Sequence, residues 1–264
     1  MRKYIEVIRM NVKAQLAWRV DVIFQMLFTI SKILFAYLLW GIIFQEENNI
    51  AGFTFHGMLS YYVISSFLSQ LDQSSAVSME IYDRIRGGTF SKYMIIPINI
   101  EQYFIAQEIG VILFYLTFDF LAAIVWIFVF QIQFVITTNI LLIFCAILMI
   151  LLGLLFMVQL NYWVGLLTLK FEEITTFLRI KDNLMSLITG TLIPLALFPN
   201  HVVSCMKILP FYYVTYLPSM LLLGRCQDEA ANGLLIILFW CVCMQLVIQI
   251  TWKKYRIKFD GVGI

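Results

Sequence analysis

Apolar runs dominate the chain, broken by short polar stretches. Six of them, at 20–44, 57–78, 103–130, 138–168, 183–199 and 232–252, come near the ~20 residues that a helix rising ~1.5 Å per residue needs to cross ~30 Å of hydrocarbon. They predict six transmembrane helices. A different pattern precedes them: over 3–17, Ile5, Ile8, Val12 and Leu16 share one helical face while Lys3, Glu6, Arg9 and Lys13 share the other. This predicts an amphipathic helix within an N-terminal segment, 1–19, lying on the cytoplasmic membrane surface; the alternative is a short solvated tail. Its apolar continuation is too long for a secretory signal, and no small-residue cleavage site follows it.

A third pattern occupies 200–231. The stretch "FPNHVVSCMKILPFYYVTYLPSMLLLGRCQDEAANG" is apolar enough to enter a bilayer, yet Pro199, Pro210 and Pro218 interrupt it before it can cross. Irregular backbone at membrane depth must be buried in protein or line a cavity, so short re-entrant helices dipping in from the outer face are expected. A proline-broken seventh span is the alternative, and it would carry the C-terminal "WKKYRIK" outside.

Composition agrees with this pattern. The chain is 62% hydrophobic and only 13% charged, with a mean hydropathy of +0.89, against about 25% charged in an average soluble domain. The prediction is an all-α membrane protein with a single transmembrane domain over 1–264. The net charge of +2 gives no sign of a nucleic-acid partner. The placement of charge is more telling: 15 of the 18 Lys and Arg lie before the first run, after the second, after the fourth or after the last. The opposite loops hold only Lys207 and Arg225, and Lys32 lies inside the first run. By the positive-inside rule both termini are cytoplasmic, which fits an even number of spans. The outer loops "QEENNIAGF" and "QIQFVITTN" carry no base at all.

Catalytic motifs are missing from the sequence: it has no GxxxxGK[ST] phosphate loop, no GxSxG and no HExxH. The prediction is no enzyme and no metal site. His56 and His201 sit among aromatics in predicted outer segments, as packing residues. Of five cysteines, only Cys205 and Cys226 could meet on the oxidising side as a disulfide.

Between the second and third runs, 79–100 holds "DRIRGGTFSKYMIIP". The second span can continue out of the membrane through "SMEIYDRIR" until Gly87 and Gly88 break it. Thr89 can then cap a short helix, "FSKYMII", that Pro97 ends. Such a helix is either a lever for contact with another protein or an ordinary basic loop. Within the spans, Gln25, Thr29 and Lys32 follow one helical face, and Ser65, Ser69 and Gln73 follow another. Both stripes should avoid lipid, either lining a path or packing between helices. Lys32 and Asp119 are charges of opposite sign inside spans, which either pair or face a wet cavity.

Three stretches together resemble ABC-type exporter permeases of the second type: "GTLIPLALFPNHVVSCMKILPFYYVTYLPSMLLLG" from Gly190, the Gly87, Gly88, "YMII", Pro97 sequence, and the tail "WKKYRIKFDGVGI". The tail is similar to the subgroup in which two different permeases share one ATPase type. The resemblance implies a dimer, with a second copy or a related paralogue, in the bacterial cytoplasmic membrane. Beneath it would bind two cytoplasmic ATP-binding cassette subunits, which hold the ATP and magnesium; this chain itself would need no cofactor. It implies that Arg84, Arg86, Gly87, Gly88, Thr89, Phe90, Lys92, Tyr93 and Pro97 form the coupling helix region. It also places the first, second and fifth spans around the dimer centre, adding Ser186 and Thr189 to the path residues. A mostly apolar, aromatic lining suits an amphipathic or lipophilic cargo amid membrane lipid. The competing reading is an ion-coupled transporter or assembly protein that uses Lys32 and Asp119 as its charge relay.

Overall fold

The computed structural model describes residues 2–17, 19–46, 49–130, 134–171 and 173–258. Residues 1 and 18 of the N-terminal segment, 47–48 and 131–133 of the two outer loops, and 259–264 of the tail lie outside the described residues. Among the described residues the fold is helical throughout; the one β-type contact is an isolated bridge between Ile50 and Phe53. In chain order the helices are α1 (Arg2–Ala17), α2 (Arg19–Ile43), α3 (Phe55–Leu71), α4 (Ser75–Arg86), α5 (Ser91–Ile95), α6 (Ile100–Phe130), α7 (Ile140–Leu166), α8 (Thr175–Ile188), α9 (Asn200–Met206), α10 (Tyr216–Leu222) and α11 (Ala230–Tyr255).

Four segments among them are long and apolar enough to cross a membrane: Ile23–Ile43, Ile100–Phe120, Ile140–Leu169 and Gln227–Tyr255. They are helices because a helix satisfies every backbone N–H and C=O within its own segment, which hydrocarbon demands. Side chains cap two of the helices: Thr54 Oγ1 accepts from Gly57 N at 3.2 Å to start α3, and Asn139 Oδ1 accepts from Leu141 N at 3.1 Å to start α7.

Two expected spans differ from the sequence reading. The second run does not continue as one helix to Gly87: α3 stops at Leu71 and α4 begins afresh at Ser75. Asp72 causes the break, its Oδ1 accepting from both the N–H (3.2 Å) and the hydroxyl (2.5 Å) of Ser74, a local turn that competes with the helical ladder. The fifth run, 183–199, is not one helix either. Helix α8 starts at Thr175 and ends at Ile188, after which Gly190 turns the chain with a φ of +79°. At 14 residues α8 spans only about 21 Å.

The main core gathers α3, α7, α10 and α11 around Tyr61, Met149, Phe156, Tyr212 and Leu217, all less than 3% exposed. The proline-punctuated segment thus supplies core aromatics: Pro210 opens a short 3-10 turn through Tyr213, and Tyr61 donates its hydroxyl to Gly190 O at 2.7 Å. Cys205 and Cys226 are both free thiols. Helix α1 matches the expected amphipathic helix in extent, and it packs against another helix. It runs beside α6, with Lys3 Nζ donating to Pro97 O at 3.1 Å and Ile8 O so near Gly110 that an added Cβ would lie 2.7 Å from it.

Candidate coupling surface and membrane groove

The Gly87–Pro97 stretch folds into the expected short helix between breaks. Gly87 has an ordinary φ of −79°, whereas Gly88 takes φ +68°, a conformation that costs side-chain-bearing residues strain. At the other end Ile96 is extended (ψ 132°), as the residue before a proline is pushed to be. One expectation fails: Thr89 does not cap α5. The N-cap position is Phe90, without a side-chain hydrogen bond, and the Thr89 hydroxyl turns back to Arg84 O at 3.4 Å.

Helix α5 is five residues long and could not persist alone. Its inner side is fixed by packing. Phe90 (0% exposed) and Tyr93 (5%) join Ile81, Ile85, Phe104, Tyr162 and Leu166 in a second core cluster. The Tyr93 ring lies 5.3 Å from Phe104 and 5.4 Å from Tyr103. Glu80 on α4 ties the region together. Its Oε1 accepts from Tyr93 Oη (2.8 Å) and Arg84 Nε (2.9 Å), and its Oε2 accepts from Gln107 Nε2 (2.9 Å). The Arg84 guanidinium also lies 5.0 Å over the Tyr93 ring. Burial pushes the Glu80 carboxyl up, but the hydrogen bonds from Gln107, Tyr93 and Arg84 outweigh it and hold the group below its ordinary value. The outer side of α5 is different: Lys92, Met94, Ile95 and Ile96 are exposed, Ile95 at 82%.

A neighbouring platform supports α4. Gly165 on α7 lets Ile81 approach so closely that an added Cβ would sit 2.9 Å from the Ile81 Cβ. Tyr82 donates to Glu173 Oε2 at 2.9 Å, and Glu173 Oε1 accepts from Thr175 N at 3.0 Å and from the Thr175 hydroxyl. These bonds, led by the Thr175 hydroxyl, bring the Glu173 carboxyl down to about 2. Lys181, buried on α8, donates to Asn161 Oδ1 on α7 and pairs with Asp182 at 2.8 Å.

The polar residues of α2 and α3 do meet. Gln25, Thr29, Lys32, Ser66, Ser69, Gln70 and Gln73 line one open groove of about 270 Å³, together with Phe28. Thr29 Oγ1 donates to Gln70 Oε1 at 2.9 Å, joining the two helices. The register on α3 is shifted from the expected one: Ser65 turns inward, fully buried, and donates to Tyr62 O at 3.3 Å, while Ser66 and Gln70 take its place. Ser186 and Thr189 do not reach the groove. Each hydroxyl bonds within its own helix, to Asn183 O at 2.8 Å and Met185 O at 2.7 Å. Lys32 and Asp119 do not pair. Asp119 lines a separate apolar cavity of about 430 Å³ with residues such as Leu68, Ile112 and Leu154, and both its carboxylate oxygens are buried without a partner among the described residues.

Glu80, Gln107, Ser66 and Gln70 escaped the sequence reading. Glu80 and Arg84 stand four apart on one helix, a legible signal; Gln107 lies 27 residues from Glu80 and only the fold joins them.

Four helical segments among the described residues are long and apolar enough to cross a membrane, and they mark the class as a multi-pass membrane protein. Residues 30–263 match the family described as ABC-2 family transporter protein, and the chain belongs to that family. It is a transmembrane permease of an ABC transporter, and the family works with ATP-binding subunits. No curated protein matches the chain.

Proposed function

We propose that this chain is the six-span permease of an ATP-driven exporter, moving an amphipathic or lipophilic substrate out of the cytoplasm or inner leaflet. Helices α2, α3, α6, α7, α8 and α11 are the spans; α3 and α8 are short, and irregular backbone buried in the bundle completes them. Both termini and α5 face the cytoplasm of a bacterial cell. A second permease, identical or paralogous, completes the dimer, and two ATP-binding subunits beneath it hold ATP and magnesium. The groove from Gln25 to Gln73 lies on the side where the two permeases meet and forms half of the path.

One observation supports this reading: α5 is fixed on its inner side by Phe90, Tyr93 and Glu80 while Ile95 is left 82% exposed. A rigid helix with an exposed apolar tip can transmit motion to a partner that covers it. The ion-coupled alternative loses its relay, because Lys32 and Asp119 line separate cavities.

The test is purification of the tagged chain from its native membrane, with transport assayed in vesicles. A separate ATPase should copurify, and disabling that ATPase's phosphate loop should abolish transport. Transport that persists without any ATPase and collapses with the proton gradient would refute the reading.

A further inference from the structure

A cleft of about 540 Å³ opens between the loop after α5, the start of α6 and the end of α11. Its floor is polar and prearranged. Gln159 on α7 donates to Gln245 Oε1 on α11 at 2.9 Å, and Gln245 Nε2 donates in turn to Glu101 Oε2 at 2.8 Å. This chain of amides fixes the Glu101 carboxylate, which is only 8% exposed, and leaves its Oε1 without a partner among the described residues. An unpartnered carboxylate oxygen in so buried a position costs free energy unless a donor comes to it.

The rest of the wall is complementary. Arg256 lines the same cleft, with no ion pair to Glu101 among the described residues. Tyr162 and Trp252 add aromatic surface, and Ile96 and Ile257 add apolar surface at the side. Trp252 is followed by Lys253 and Lys254 in the last turn of α11, the combination that marks the boundary between hydrocarbon and water. Acid, base, aromatic rings and an apolar flank at that depth match a zwitterionic amphiphile better than a soluble metabolite.

We propose that this cleft binds the headgroup of an aminophospholipid, its primary ammonium donating to Glu101 and its phosphate accepting from Arg256. The acyl chains leave along the apolar flank into the bilayer. Aromatic faces beside the ammonium strengthen the contact. The site is separate from the groove of α2 and α3, and it requires only that the chain lies in a membrane. The ATPase-coupling reading can therefore fail without touching it.

The test is native mass spectrometry of the detergent-purified full chain, incubated in turn with phosphatidylethanolamine, phosphatidylglycerol and soluble phosphoethanolamine. The wild type should retain phosphatidylethanolamine at least fivefold over phosphatidylglycerol, and phosphoethanolamine should not displace it. Glu101→Gln keeps an acceptor for Gln245 and should erase the preference while leaving the phosphatidylglycerol level unchanged. Arg256→Ala, at an exposed position that should not disturb folding, should lower retention of both lipids. Equal retention of the two lipids by the wild type, or an unchanged preference in Glu101→Gln, overturns the proposal. Displacement by phosphoethanolamine overturns the lipid as occupant.

Discussion

Helices α5 and α2 are held in opposite ways. The five residues of α5 are locked by a buried tyrosine and phenylalanine and by a carboxylate with three donors. The 25 residues of α2 touch the core mainly through Ile33, Ala36 and Trp40, a narrow stripe at helical spacing, while Phe24, Phe28, Phe35 and Ile42 are more than half exposed. Length therefore says little about anchoring. The solvent explains the difference: lipid accepts the apolar outside of α2 at no cost, so packing alone decides what covers it. On the proposed reading α5 lies beyond the membrane, where burying the exposed Ile95 against a partner is favourable.

Breaking the anchor of α5 should have the largest effect. Glu80→Leu leaves Tyr93, Arg84 and Gln107 without their common acceptor, and hydrogen bonds to a charged group are each worth about 1.5–3 kcal/mol. Hydrogen exchange of 88–97 should accelerate strongly, with α2 unchanged. Equal acceleration in both would mean that the two regions are one cooperative unit.

Gly88→Ala should cost about 1 kcal/mol, because alanine resists a φ of +68°. Gly87→Ala, at an ordinary φ of −79°, should cost less, even though its Cβ would crowd Asp83 O at 3.1 Å. Thermal unfolding of the two variants in detergent separates them; a larger loss at Gly87 would contradict the turn geometry.

For the membrane helices the prediction is independence. Since Lys32 and Asp119 line different cavities, the losses or gains of Lys32→Met and Asp119→Leu should add to within about 0.5 kcal/mol. A coupling of several times that size would restore the buried pair.

The smallest effect is pH dependence at the start of α8. The folded Glu173 carboxyl sits at about 2, below the ~4.3 of an unfolded glutamate. Its contribution is therefore complete above that unfolded value and lost as pH falls from about 4.3 to 2. Exchange at Thr175 should quicken across that window in the wild type and not in Glu173→Gln.

Much of this architecture was legible in the chain. The long apolar runs of α6, α7 and α11, the bracket of Gly88 and Pro97, and the Gln25, Thr29, Lys32 stripe follow from periodicity and from residues with one conformational meaning. The misses share a cause in local hydrogen bonding or distant packing. Asp72 ended α3 by bonding Ser74, which hydropathy does not register. Ser65 was misplaced because the adjacent pairs Ser65, Ser66 and Ser69, Gln70 give α3 two neighbouring polar stripes, between which spacing alone does not choose. The short α8 holds its place through Asn161 and Lys181, partners 20 residues apart whose meeting only the fold provides.

The central claim, that the tip of α5 meets an ATPase, is tested most directly by photo-cross-linking in native membranes. A photoreactive amino acid is placed at Ile95, and in a parallel protein at Ile140, which is equally exposed at the start of α7 on the predicted outer side. The account predicts one cross-linked product at position 95 whose partner carries a phosphate-binding loop, lost in Glu80→Leu, and no such product at 140. The same ATPase product at both positions, or lipid adducts alone at 95, would contradict it.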